Sequence, residues 1–113
     1  MNNQNKTYEK IRAASHSVLD LVQYQEAAVV SQTIIKKDVG TVTLFAFAAG
    51  EGLSEHSAPF DALIHVLDGE TEIRIGGEPH YVKSGEVIIL PANIPHGLRA
   101  MTDFKMIITM IKE

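Results

Sequence analysis

From Gly50 onward the chain is cut into apolar runs too short for a self-supporting helix, each closed by a turn signal. Ala62-Leu-Ile-His-Val-Leu67 ends at Asp68-Gly69, and Thr71-Glu-Ile-Arg-Ile75 ends at Gly76-Gly77. Pro79-His-Tyr-Val-Lys83 ends at Ser84-Gly85, which leads into Val87-Ile-Ile-Leu90 and a stop at Pro91. Asp-Gly and Gly-Gly pairs supply the positive φ angles that tight hairpins need. Thr71–Ile75 alternates strictly, as a strand with one wet face does, and Pro79–Lys83 is polar enough for an outer or edge strand. Upstream, Val18–Tyr24 and Val29–Ile35 read as strands from their β-branched content, and Asp38-Val-Gly40 reads as a turn. Gly97–Met101 and Phe104–Ile111 complete the set. Short strands with turn signals every ~8–12 residues predict an all-β sandwich or barrel.

One strand differs from the rest. Thr41-Val-Thr-Leu-Phe-Ala-Phe-Ala-Ala49 is apolar on both faces. That predicts burial on both, between a barrel interior and a second covering layer such as a partner subunit. Residues 1–16 are polar and read as an N-terminal arm, loosely ordered or forming a short helix around Tyr8–Ala14, and residues 17–113 read as one barrel domain.

Composition narrows the roles. A chain of 113 residues holds one core, and 45% hydrophobic with 21% charged residues is ordinary for a soluble globular protein. The net charge of -4, with basic residues scattered and Lys36-Lys37 the longest run, argues against nucleic acid or an anionic membrane as partner. Lys36-Lys37 reads as a solvated strand end. Zero cysteines exclude disulfides, thiolate metal sites and a cysteine nucleophile. No run approaches the ~20 apolar residues of a membrane span, and the polar start lacks a secretory apolar segment, so a cytoplasmic protein is expected. No Gly-x-Ser-x-Gly or phosphate-binding glycine loop is present, and Ser54, Ser57 and Ser84 sit in turns.

Two stretches resemble the paired motifs of the cupin superfamily. The first motif runs Gly, five residues, His-x-His, three or four residues, Glu, six residues, Gly. Here Gly50, His56 and Gly69 stand in place, while Ala58 occupies the second His position and Ala62 the Glu position. The second motif runs Gly, five residues, Pro-x-Gly, two residues, His, three residues, Asn. Gly85, Pro91 and His96 match, while Asn93 replaces the Gly and Ala100 the Asn. The resemblance covers roughly residues 29–111. It implies a small single-domain cupin of the conserved-barrel type: a double-stranded β-helix, or jelly-roll barrel, with a short N-terminal helical or irregular arm. It also implies a homodimer.

In metal-binding cupins three His and one Glu point into the barrel and hold a divalent ion. This chain keeps His56 and His96 and puts methyl groups, Ala58 and Ala62, at the other two positions. The resemblance therefore implies a degenerate site in which His56, His96, Ala58 and Ala62 contact a small-molecule ligand. His56 and His96 are the candidate ligands for a divalent transition metal (Ni, Zn, Fe or Mn), if one is bound. Strand parity places His56, Ala58, Ala62, Ile64 and Val66 on one face and His65 on the other. His80 and His16 lie in polar surroundings. Glu51, Glu55 and Asp61 are nearby carboxylates, none at a motif position. Phe45, Phe47, Phe60, Met101, Met106 and Met110 are available as walls or core, and Arg74 is expected to point outward. Three roles follow: a small-molecule binding protein, a metal-dependent dioxygenase or isomerase of a small organic substrate, or a non-catalytic dimeric scaffold.

Overall fold

The structure, a computed structural model, describes residues 3–113. A helix, α1 (Asn3–Ile11), and a single 3₁₀ turn (Val18–Asp20) precede nine strands. The strands are β1 (Val29–Lys37), β2 (Gly40–Phe47), β3 (Gly52–His56), β4 (Asp61–Asp68), β5 (Glu70–Ile75), β6 (Glu78–Lys83), β7 (Val87–Leu90), β8 (His96–Ala100) and β9 (Phe104–Ile111). They form two antiparallel sheets, ordered β1-β2-β9-β4-β7 and β3-β8-β5-β6. Sequence neighbours such as β3 and β4 fall in different sheets, which gives the jelly-roll double-stranded β-helix. Among the described residues no helix is long and apolar enough to cross a membrane.

Two elements differ from the sequence reading. Val18–Tyr24 is not a strand. Val18, Leu21 and Val22 are spaced three and four apart, so a turn of helix lays all three on the sheet, and the Leu21 amide donates to the Val18 carbonyl at 3.2 Å. Conversely, Gly52–His56, between two turns, forms β3 by pairing with β8.

The arm also answers what covers the outer face of β2. Leu44 and Ala46 are fully buried there, in a cluster with Val22 and Ile34 against which Ile11, Val18, Leu21 and Tyr24 pack. The second layer expected from a partner subunit is thus supplied by the chain itself. Polar ties fix it. The Tyr24 hydroxyl donates to Asp68 Oδ2 at 2.6 Å, and the buried Lys105 donates to the Leu19 carbonyl at 2.7 Å while its Nζ sits 4.8 Å from the Tyr24 ring centroid. Burial, then the adjacent Asp68 carboxylate, pushes the Tyr24 phenol above its usual range. Thr7 on α1 donates to the side-chain oxygen of Gln32 on β1.

Inside the barrel, cross-strand register stacks side chains in layers that shrink toward one end. Phe47 lies opposite Phe104, Phe45 opposite Met106 and then Val66, Thr43 opposite Ile108 and then Ile64, and Thr41 opposite Met110 and then Ala62. Phe47 and Phe104 stack with centroids 4.7 Å apart and, fully buried, close the floor; burial of each contributes about 1.5–3 kcal/mol. Small Thr and Ala residues at the opposite end leave space. Gly69, which closes the first motif, has φ +75°, and a β-carbon there would run into the Asp103 carbonyl oxygen.

Candidate functional site

The strand pairing of β3 with β8 sets the site. His56 lies directly opposite His96, beyond an irregularity in the ladder between Leu53 and His56. The rings meet edge to face, with centroids 4.6 Å apart and planes at 69°. The loops bearing them are tied together, since the Asn93 amide donates to the Ala58 carbonyl at 2.7 Å. Asn93 has φ +67°, the left-handed conformation a glycine would otherwise supply and that asparagine tolerates. This departure from the motif therefore keeps the loop's shape.

Both imidazoles are oriented by the backbone carbonyl two residues before them. His56 Nδ1 lies 2.8 Å from the Ser54 carbonyl oxygen and His96 Nδ1 3.2 Å from that of Ile94. A carbonyl only accepts, so each Nδ1 donates and carries a proton. In the neutral ring each Nε2 then keeps its lone pair for whatever enters the barrel. His96 is buried, whereas His56 is exposed. Burial lowers the pKa of His96, a bond to the Ile94 carbonyl works against that, and the neighbouring His56 lowers it further.

The histidines border a cavity of about 230 Å³. That is below the ~300–1,000 Å³ of sites that take drug-sized ligands, so the space suits a small metabolite. His56, Ala58, Ala62 and His96, the four positions singled out by sequence, all line it, together with Ile64. Phe45, Phe60, Met106 and Met110 form walls, Phe47 belongs to the floor, and Met101 is exposed on the surface. His16, His65 and His80 are exposed and away from the cavity; His65 faces outward on β4, as alternation requires. Arg74 is exposed, on the outer face of β5, 3.4 Å from Glu72. Sequence reasoning missed Thr41 and Thr43, which also line the cavity. Their signal was available: they share parity with Phe45 and Phe47 on a strand otherwise apolar.

A divalent ion needs more than these residues offer. Among the described residues no group of three or more His, Cys, Asp or Glu side chains converges anywhere. Asp61 accepts the Ala92 amide at 2.8 Å, and Glu55 borders a separate outer groove with Glu72, Arg74 and Arg99. The donor set at the cavity is two neutral imidazoles and no carboxylate, half of a usual shell and without charge to balance the ion. The residues do not fit a resident divalent metal.

Comparison with known proteins agrees with the geometry. Residues 43–112 match the cupin domain family. Among solved structures, a conserved protein of unknown function from Streptococcus pyogenes superposes with a TM-score of 0.87 at 30% identity, covering 90% of each chain. A cupin 2 conserved barrel domain protein from Leptotrichia buccalis gives 0.81 at 42% identity, over 83% of this chain and 46% of that one. An RmlC-like cupin from Desulfovibrio desulfuricans gives 0.76 at 31% identity, over 87% of this chain and 95% of that one. No curated protein matches. The layered jelly roll, the opposed histidines on β3 and β8 and the glycine-closed β4 all carry the same assignment: this chain belongs to the cupin family, as a small single-barrel member.

Proposed function

We propose that this protein binds a small organic molecule inside the barrel through the Nε2 atoms of His56 and His96, without a resident metal ion. The observation that carries the reading is the pair of backbone-oriented imidazoles at a largely apolar cavity of about 230 Å³. Two lone pairs side by side accept from hydroxyl, enol or amide N–H groups, or share the proton of a weak acid. Ala58 and Ala62 leave room where bulkier ligating side chains would stand. The setting we infer is the cytoplasm.

The working form we propose is a homodimer. With β2 covered by the arm, the apolar side chains still uncovered on the outer face of β9-β4-β7 are Leu63, Val87, Ile89 and Ile111, all exposed. Asp61, opposite Ile111, and His65, opposite Val87, share this face, and the Asp61 carboxylate accepts the Ala92 amide at 2.8 Å; the patch is mainly apolar, and a two-fold copy of itself covers it.

The test of the binding reading is a thermal-shift screen of small organic acids, enols and alcohols, repeated on a His56→Ala/His96→Ala variant. The reading expects hits that stabilise the parent and lose that effect in the variant. Hits that stabilise both equally would place binding elsewhere.

A further inference from the structure

The cavity has a second polar end. Of the inward-facing threonines, Thr71 is fully buried and its hydroxyl donates to the Arg99 carbonyl at 2.9 Å. Thr41 and Thr43 are only half-buried and line the cavity wall. Valine would fill the same shape, so hydroxyls at these two positions are an unnecessary cost unless something polar arrives there.

A backbone irregularity brings a charge to the same place. From Val29 to Thr33, β1 pairs with β2 in one register, then the register shifts so that Ile35 lies opposite Val42 and Lys36 opposite Thr41. Ile34 is the extra residue. In the unshifted register Ile35 would stand beside Thr41, and Lys36 would fall on the outer face. The bulge reverses this: directly opposed residues share a face, so Lys36 stands beside Thr41 with β-carbons roughly 5 Å apart. The reversal also leaves Ile35 on the outer face at 38% exposure. Lys36 itself is exposed and stands outside the lining of the cavity, on the face of the sheet that carries Thr41; a bulge that exposes an isoleucine to put a lysine on that face is the pattern of one that re-aims a side chain toward a site.

We propose that the barrel takes a monocarboxylic acid with an apolar body and a hydrogen-bond donor at its far end. Its carboxylate lies on the Thr41 and Thr43 hydroxyls beside Lys36, and its donor reaches the Nε2 atoms of His56 and His96. The proposal rests on the small-molecule reading above and adds the ligand's class and direction. Only β9 separates β2 from β4, so Thr41 and Ala62 are roughly 10 Å apart across the sheet. That span suits one aromatic ring or a short aliphatic chain between the two polar groups. Met110 stands between Thr41 and Ala62, with Ile108 and Ile64 in the next row and Phe45 and Met106 below that.

The experiment is an NMR titration following backbone amides and imidazole resonances with four probes. These are para-hydroxybenzoate, para-hydroxybenzamide, benzoate and the flexible omega-hydroxyhexanoate. We expect a hydroxy acid to shift Thr41, Thr43, His56 and His96 together and to bind about tenfold or more tighter than the amide. Lys36→Met should erase that preference, and Lys36→Arg should retain most of it. Both substitutions sit at an exposed position and leave the core untouched. Equal binding of acid and amide, or an acid preference that survives Lys36→Met, overturns the second polar end while leaving the histidine pocket standing. If no probe shifts His56 or His96, the small-molecule reading falls and this proposal with it.

Discussion

Restoring the two missing donors tests the argument that two imidazoles are too few to hold a metal. In the Ala58→His/Ala62→Glu variant the new groups start from β-carbons that already line the cavity with His56 and His96. Four-ligand structural zinc sites are worth about 10–16 kcal/mol at neutral pH, or roughly 2.5–4 kcal/mol per ligand. Two imidazoles then supply about 5–8 kcal/mol, a Kd between roughly 1 µM and 200 µM. The two added donors contribute about 5–8 kcal/mol more, or a Kd at least about a thousandfold tighter than the parent's. The carboxylate placed at position 62, where the wild-type residue is only 5% exposed, costs about 3 kcal/mol when no ion is bound, and that cost falls on the folding stability of the metal-free variant. Competition against a chromophoric chelator measures both constants for Zn²⁺ and Ni²⁺. The metal-free variant should also melt about 10 °C below the parent and recover when the ion is added. A parent that binds one equivalent below about 0.1 µM, and loses it with His56→Ala, would refute the argument that two imidazoles are too few. A variant no tighter than the parent would show that positions 58 and 62 do not aim at the point the histidines share.

The remaining predictions are narrower. Because burial and His56 hold the His96 pKa below the ordinary 6.5, the unfolded chain takes up that proton first as pH falls. Stability should therefore decline from about pH 6.5 down to the depressed value and level off below it, and His96→Gln should remove that slope in urea midpoints measured across the window; an unchanged slope would assign it to another group. Val22 is 2% exposed between the arm and β2, so Val22→Ala should cost about 1–3 kcal/mol by chemical denaturation, and a loss below about 0.5 kcal/mol would mean the arm contributes little. Leu63→Lys with Ile89→Lys puts charges opposite each other on the uncovered face and should yield a monomer by sedimentation while the parent is a dimer; a variant that stays dimeric places the interface elsewhere.

Most of the barrel was legible because its signals are local. Asp68-Gly69 and Gly76-Gly77 fix hairpins through backbone angles their own side chains permit, and the runs between them alternate against a single core. Val18–Tyr24 was misread because a short apolar run carries both periods at once. What decided between them was the outer face of β2, which lies some twenty residues away and needed covering. β3 was missed for the opposite reason. Gly52–His56 has a weak strand pattern of its own and is a strand because β8 offers it a ladder. The double burial of Thr41–Ala49 was correctly inferred, but a sequence cannot say whether the second layer comes from the same chain or another.

At the site, the cavity-facing positions 56, 58, 62, 64 and 96 follow from spacing, since motif glycines and parity survive the break between β3 and β4. The polar end at Thr41 and Thr43 did not emerge, because threonine in a strand reads as β-propensity before it reads as a hydroxyl. Lys36 was harder still. Its place beside Thr41 depends on one extra residue in β1, and counting by twos from either end of that strand gives opposite answers. The two halves of the cavity thus differ in kind. The histidine half is written in residue types at fixed spacing, while the lysine half is written in a backbone register that only the pairing of β1 with β2 reveals. If the Lys36→Met titration erases the acid preference, the bulge is the feature that gives this barrel its ligand class, and a search for relatives of like specificity should look for an extra residue in β1 rather than for the histidine motif.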